Sequence, residues 1–201
     1  MYQYISQQYE EKDFSHADQR EGELDHCTFT RCRFKGTHLE EVTTTGCHFI
    51  ECDFTGALLN ASIHTGSAFT NCRFQGSNLF VTKFVACKMV GSDFTGAQLD
   101  GITLQGGDWS YTNLRRANLS KQDLRGIRFV EADLYEAILE KAILKDADLT
   151  RAHLAKARLK GADLRGAKMD GVDFKSLDVK DARMDIQQAV AFIRSYGAIV
   201  N

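Results

Sequence analysis

The sequence predicts an all-β solenoid of four-sided coils, closed by one short C-terminal helix, and three observations predict it. Large apolar residues recur at every fifth position from Tyr4 to Met184, 37 sites without a phase slip. Of the 16 glycines, 13 fall at one phase, two places after those apolar centres. Beyond Met184 the period of five gives way to helical spacing.

A period of five suits neither a helix nor a flat strand. Leu149, Leu154, Leu159 and Leu164 would land about 140° apart on an α-helix and build no stripe. On a strand, odd spacing would send successive leucines to opposite faces. Each pentad therefore reads as a short extended piece followed by a corner. The glycine phase implies a positive φ at that corner. Two places before each centre stands a small residue, as at Ala17, Ala57, Ala97, Ala117 and the unbroken series from Ala132 to Ala167. Large and small residues then share the interior, and four pentads close a coil of 20 residues. Coils stack about 4.8 Å apart with hydrogen bonds as in parallel sheet. Residues 1–184 give about nine such coils. Three centres break the rule: Gln19, Thr44 and His64.

Residues 185–201 follow other rules. Asp185 is a candidate N-cap, Ile186, Ala189, Val190 and Ile193 share one helical face, and Gly197 is placed to end the helix. An open coil needs a cap, and the helix supplies one. Its apolar face, extended by Phe192 and Tyr196, exceeds what one coil covers and predicts a dimer contact.

Composition excludes more than it assigns. A net charge of −2 argues against strong attraction to nucleic acid or membrane. No stretch reads as a signal peptide or a transmembrane span, so the expected location is the cytoplasm. All six cysteines, Cys27, Cys32, Cys47, Cys52, Cys72 and Cys87, occupy the small inward phase. A straight column of thiols cannot wrap a tetrahedral metal ion, so they read as small hydrophobes. His64 reads as a hydrogen-bonded core residue. No phosphate loop, metal-binding helix motif or nucleophile elbow appears, and a packed interior offers no pocket. The sequence therefore predicts no enzyme, no cofactor and no metal.

The motif Ala162-Asp163-Leu164-Arg165-Gly166 resembles the pentapeptide-repeat family, and that resemblance implies a right-handed quadrilateral β-helix. The segment "GSNLFVTKFVACKMVGSDF" (76–94) and the ending "QAVAF" (188–192) are similar to the MfpA/Qnr family within it. That resemblance implies dimers joined tail to tail that bind DNA gyrase and topoisomerase IV, imitate duplex DNA and protect against fluoroquinolones. Members of the plasmid type carry loops between coils. This sequence has no phase slip to hold them and sides with the MfpA type.

Charge limits the mimicry. Duplex DNA carries one charge per about 1.7 Å, so nine coils would need about 25 net negative charges. Here 27 acids are offset by 25 bases. Local mimicry remains open. The outward column Asp13, Arg33, Asp53, Arg73, Asp93 reads as alternating ion pairs between coils. Candidate partner-binding acids are Glu21, Glu40 and Glu41 on one face, with Asp53, Asp93 and Asp133. Leu58, Phe80 and Val81 form an outward apolar patch on the face of the three glutamates. An interaction scaffold with a different protein partner is the rival function.

Overall fold

The computed structural model describes residues 3–200, which divide into two compact units between Asn113 and Leu114. In the first unit the pentads fold as parallel β-solenoid. Strands β1 (Gln3–Ile5), β3 (Glu23–Asp25), β5 (Thr43–Thr45), β7 (Ile63–Thr65), β9 (Lys83–Val85) and β10 (Thr103–Gln105) stack in that order as one parallel sheet. Strands β2 (Gln8–Glu10), β4 (Thr28–Thr30), β6 (His48–Ile50) and β8 (Ala68–Thr70) form a second. Every pairing is offset by 20 residues, as in Leu24 with Thr44 and Thr44 with His64.

The strand-paired solenoid completes about five turns, from Tyr4 to Leu104, fewer than the nine that the period suggests. The other two sides of each coil, and all sides in the second unit, are joined by single-residue bridges such as Asp53↔Arg73 and Ile138↔Arg158. The residue before each apolar centre accounts for the difference. On the strand-forming sides it is often Thr, Ile or another residue without a short carboxyl or amide. On the bridge-only sides it is often Asp or Asn, whose side chain accepts the backbone N–H two residues on. Asp53 does so from Thr55 at 3.0 Å and Asp133 from Tyr135 at 3.0 Å. Such local turns compete with extended strand.

The core follows the phase rule. In the first unit Phe14, Phe34, Phe54, Phe74 and Phe94 stack face to face at 4.7–5.0 Å. A second column, Phe29, Phe49 and Phe69, meets the first edge-on, combining two favoured aromatic geometries. In the second unit the same positions are mostly leucines beside alanines, with Phe129 and Ile127 among them, and every centre from Leu114 to Leu164 is buried. The six cysteines are free and buried. Their thiols donate to carbonyls of the preceding coil, for example Cys52 Sγ to Phe29 O at 3.3 Å. Burial pushes Cys47 and Cys87 up to about 11, which keeps them protonated and unreactive.

The corner phase is left-handed for almost every residue that fills it, Ser176 in a 3₁₀ turn being the exception among the described residues. Besides glycines, 22 described residues hold a positive φ, among them Glu21, Glu41, Val81 and Tyr111. One glycine is required for a different reason. Gly107 sits at the small inward phase with φ 90°, and a Cβ there would overlap the Cys87 carbonyl oxygen.

The second unit ends in helix α1 (Ile186–Ser195). Asp185 accepts from Gln188 N while the Gln188 side chain accepts from Asp185 N, a reciprocal cap. Gly197 follows with φ 88°. A 3₁₀ turn, Phe174–Ser176, interrupts the last coil.

Candidate interaction surface

The pentads centred on Gln19, Leu39, Leu59, Leu79 and Leu99 stack into one side of the first unit. The bridges Asp18↔His38, His38↔Leu58, Leu58↔Asn78 and Asn78↔Gln98 fix the order. Backbone bonds from Glu21 N to Glu40 O, Glu41 N to Asn60 O, Ala61 N to Phe80 O and Val81 N to Asp100 O tie the outward corners together. Glu21, Glu40, Glu41, Leu58, Phe80 and Val81 therefore share this side, with Asp100 completing it.

Its charges are unevenly paired. Arg20 grips Asp18 through two bonds of 2.9 and 2.6 Å, and that grip holds the Asp18 carboxyl down at about 2. Arg20 is the only Lys or Arg among this side's outward residues. Glu21, Glu41 and Asp100 have no ion-pair partner among the described residues. Glu40 is not the exposed acid that its outward phase suggests, since its side chain is 18% exposed. One oxygen meets His38 Nδ1 at 3.1 Å, and the other is buried without a hydrogen bond.

The apolar part is more sharply drawn than the sequence suggests. Phe80 and Val81 are 47% and 38% exposed, whereas Leu58 is half-buried. Ile63, which sequence reasoning missed, is exposed around the next corner. Phe80 N donates to Asn78 Oδ1 at 3.0 Å, fixing the loop beneath the ring. Val81 takes φ 51°, rare for a β-branched residue. Its column neighbours are Ala61 and Gly101, and a Cβ on Gly101 would stand 2.9 Å from Val81 Cγ1. Small flanking residues let the valine stand proud.

The remaining predicted acids lie on other sides and are satisfied internally. Asp53 meets Lys35 Nζ at 3.3 Å, and Asp93 accepts from Gln75 at 2.7 Å. In the second unit Asp133 meets Arg115 at 2.9 Å and His153 at 3.1 Å. Of the alternating column, Arg33 closes on Asp13 at 3.0 Å, whereas Asp53 pairs with Lys35, outside the column.

Helix α1 presents two opposed faces. Gln188 is buried and donates to the Leu164 and Ala167 carbonyls, and Phe192 packs edge-on against Phe174. That face caps the chain's own coil. About 180° away, Ile186 and Ile193 are 83% and 46% exposed, with Ala189 and Val190 between them. Tyr196 lies at the edge, 59% exposed. Of the residues expected to face a partner, Phe192 alone belongs to the capping side.

A cavity of about 20 Å³ lies in the interior beside Thr44 and His64, too small for an organic ligand. Among the described residues no group of His, Cys, Asp and Glu is arranged to hold a metal ion, and no helix is long and apolar enough to cross a membrane.

A family model described as pentapeptide repeats matches in eight copies, over residues 69–106, 112–151 and 142–185. Among solved structures the chain is similar to QnrB1, a plasmid-mediated fluoroquinolone resistance protein. A trypsin-treated arginine-to-glutamate variant of QnrB1 superposes with a TM-score of 0.87 at 20% identity, covering 100% of both chains. Full-length QnrB1 gives 0.80 at 19% identity, covering 98% of this chain and 100% of that one. No curated protein matches in sequence. At this identity the likeness establishes the fold.

Proposed function

Because the chain belongs to the pentapeptide-repeat family, we propose that it acts by contact alone, without chemistry, as a protein that binds DNA gyrase and, second to it, topoisomerase IV. Binding modulates supercoiling and protects the enzyme from fluoroquinolones. The observation that carries the reading is the end-to-end likeness in fold to a fluoroquinolone resistance protein. The unbroken 20-residue register within each unit supports the loop-free MfpA type.

The active form is a homodimer joined through Ile186, Ala189, Val190 and Ile193, the helix face that the chain's own coil leaves bare. The solenoid of 1–184 then presents itself to the enzyme, and 185–201 serves as cap and junction. Mimicry is local. The first unit carries 14 acids against 8 bases, and the second 17 bases against 13 acids, so the first unit is the DNA-like part. The protein itself touches neither nucleic acid nor membrane, and works in the cytoplasm.

A second reading, an interaction scaffold for another protein, is favoured by the exposed Phe80 and Val81. A supercoiling assay separates the two. Purified protein titrated into gyrase, with and without a fluoroquinolone, should alter supercoiling or restore it. No change at any concentration would leave the scaffold.

A further inference from the structure

We propose that the side of the first unit carrying Phe80 and Val81 docks a protein segment in which arginine alternates with apolar side chains. The proposal deepens the partner-binding reading above and rests on it only for the existence of a protein partner.

The centre of the surface is apolar and held in place. Phe80 stands on an Asn78-anchored loop, and Val81 is kept in left-handed backbone at an exposed corner. The left-handed corner recurs through the repeat, but among the described non-glycine residues that fill it Val81 alone is β-branched, so an apolar side chain stands at an exposed corner where glycine would be the easier choice.

The rim is acidic and unpaired. Glu41 and Glu21 lie on one side of the patch, Asp100 on the other, and the single arginine of this face is committed to Asp18. Carboxylates repel phosphate, so a nucleic acid or an anionic membrane does not fit. Glu40, 18% exposed and held on His38 at 3.1 Å, adds negative charge beneath the rim, and a planar guanidinium pairs with the exposed carboxylates of Glu21, Glu41 and Asp100 better than an ammonium does.

The dimensions agree with an extended segment. From Glu21 to Gly101 is four coil steps, about 19 Å at about 4.8 Å each. Six extended residues span about 20 Å. Glu40 and Phe80 are two steps apart, about 10 Å, so an arginine and an apolar side chain of one segment reach both.

The test uses the full chain, labelled with ¹⁵N, and the peptide acetyl-Arg-Leu-Arg-Leu-Arg-Leu-amide. Amide shifts at millimolar peptide should concentrate at residues 40–41, 60–61, 80–81 and 100–101. Phe80→Ser and Glu40→Gln should each weaken binding by about fivefold or more with an unchanged melting temperature. Replacing the peptide's arginines by glutamate should abolish the shifts. No shifts, shifts on another side, or equal binding of a Lys-Ser peptide of the same length would overturn the proposal. The gyrase reading is decided separately by supercoiling. Peptide binding without a gyrase effect would keep this surface and remove that partner, and the converse would do the reverse.

Discussion

His64 Nδ1 lies 2.9 Å from the Thr44 hydroxyl one coil away, at centre positions that large apolar side chains fill elsewhere. Ser62 Oγ meets the other ring nitrogen at 3.0 Å, and Thr44 also contacts Ser67 Oγ at 2.9 Å. Both exceptions to the apolar rule at these two centres are thus one satisfied network, and the imidazole stacks on Phe84 as a phenyl ring would.

This relationship makes stability depend on pH. Burial pushes the His64 imidazole down to about 3, against about 6.5 in an unfolded chain. Between those values the unfolded chain binds the proton and the folded protein does not. The stability is therefore full above pH 6.5 and falls as pH drops, by up to about 1.4 kcal/mol per unit. Urea denaturation at pH 5 should show about 2 kcal/mol less stability than at pH 7.5. His64→Leu should lose most of that dependence, while Thr44 keeps Ser67 as a partner. An unchanged slope in the variant would place the titrating group elsewhere.

The leucine ladder of the second unit gives a direct test of register. Leu114, Leu134, Leu154 and Phe174 occupy one 20-residue column, all nearly inaccessible. Leu154→Ala should cost about 2–5 kcal/mol in denaturant unfolding, since coils on both sides prevent collapse into the cavity. A loss under about 1 kcal/mol, the range of surface substitutions, would contradict the stacking.

Glycine substitutions should separate by phase. Gly56 has φ 65° with open space around a Cβ, and many non-glycine residues tolerate that corner. Gly56→Asn should cost about 1 kcal/mol or less. Gly107→Ala should be far worse, because the new methyl meets backbone of Cys87 that cannot move without breaking the coil. Similar melting temperatures for the two variants would mean the Gly107 approach is looser than the structure has it.

The sequence carried the solenoid because its period is imposed by geometry: an interior filled every fifth residue permits little else. It did not carry the strand count, which depends on whether Thr or Asp precedes each centre, a difference that leaves the apolar period untouched. Glu21, Glu41, Phe80 and Val81 were legible as outward residues sharing a side. Glu40 was not legible as half-buried, because phase gives direction and not the way a side chain folds down on His38. Gln188 was missed as a cap for the Leu164 and Ala167 carbonyls, since a polar residue on a helix reads as solvent-facing. The left-handed corner at Val81 had a signal, its glycine phase, which a valine conceals.

The opposed faces of α1 predict a clean separation of assembly from capping. Ile186→Lys with Ile193→Lys should convert the proposed dimer to monomer in light scattering while circular dichroism and melting change little. Gln188→Ala should instead lower stability by about 1–3 kcal/mol by leaving the Leu164 and Ala167 carbonyls unbonded. A double lysine variant that remains dimeric would move the junction elsewhere.

The central claim is that the protein occupies a DNA-binding surface of gyrase through local acidic charge. It is tested most directly by measuring binding of the purified protein to gyrase in competition with duplex DNA, at low and at physiological salt. The account predicts mutual displacement and an affinity that weakens with salt as screening shortens to about 8 Å. The triple variant Glu21→Lys, Glu40→Lys and Glu41→Lys should bind at least about tenfold more weakly while remaining folded. Simultaneous binding of protein and DNA, or an affinity indifferent to salt and to all three substitutions, would contradict it.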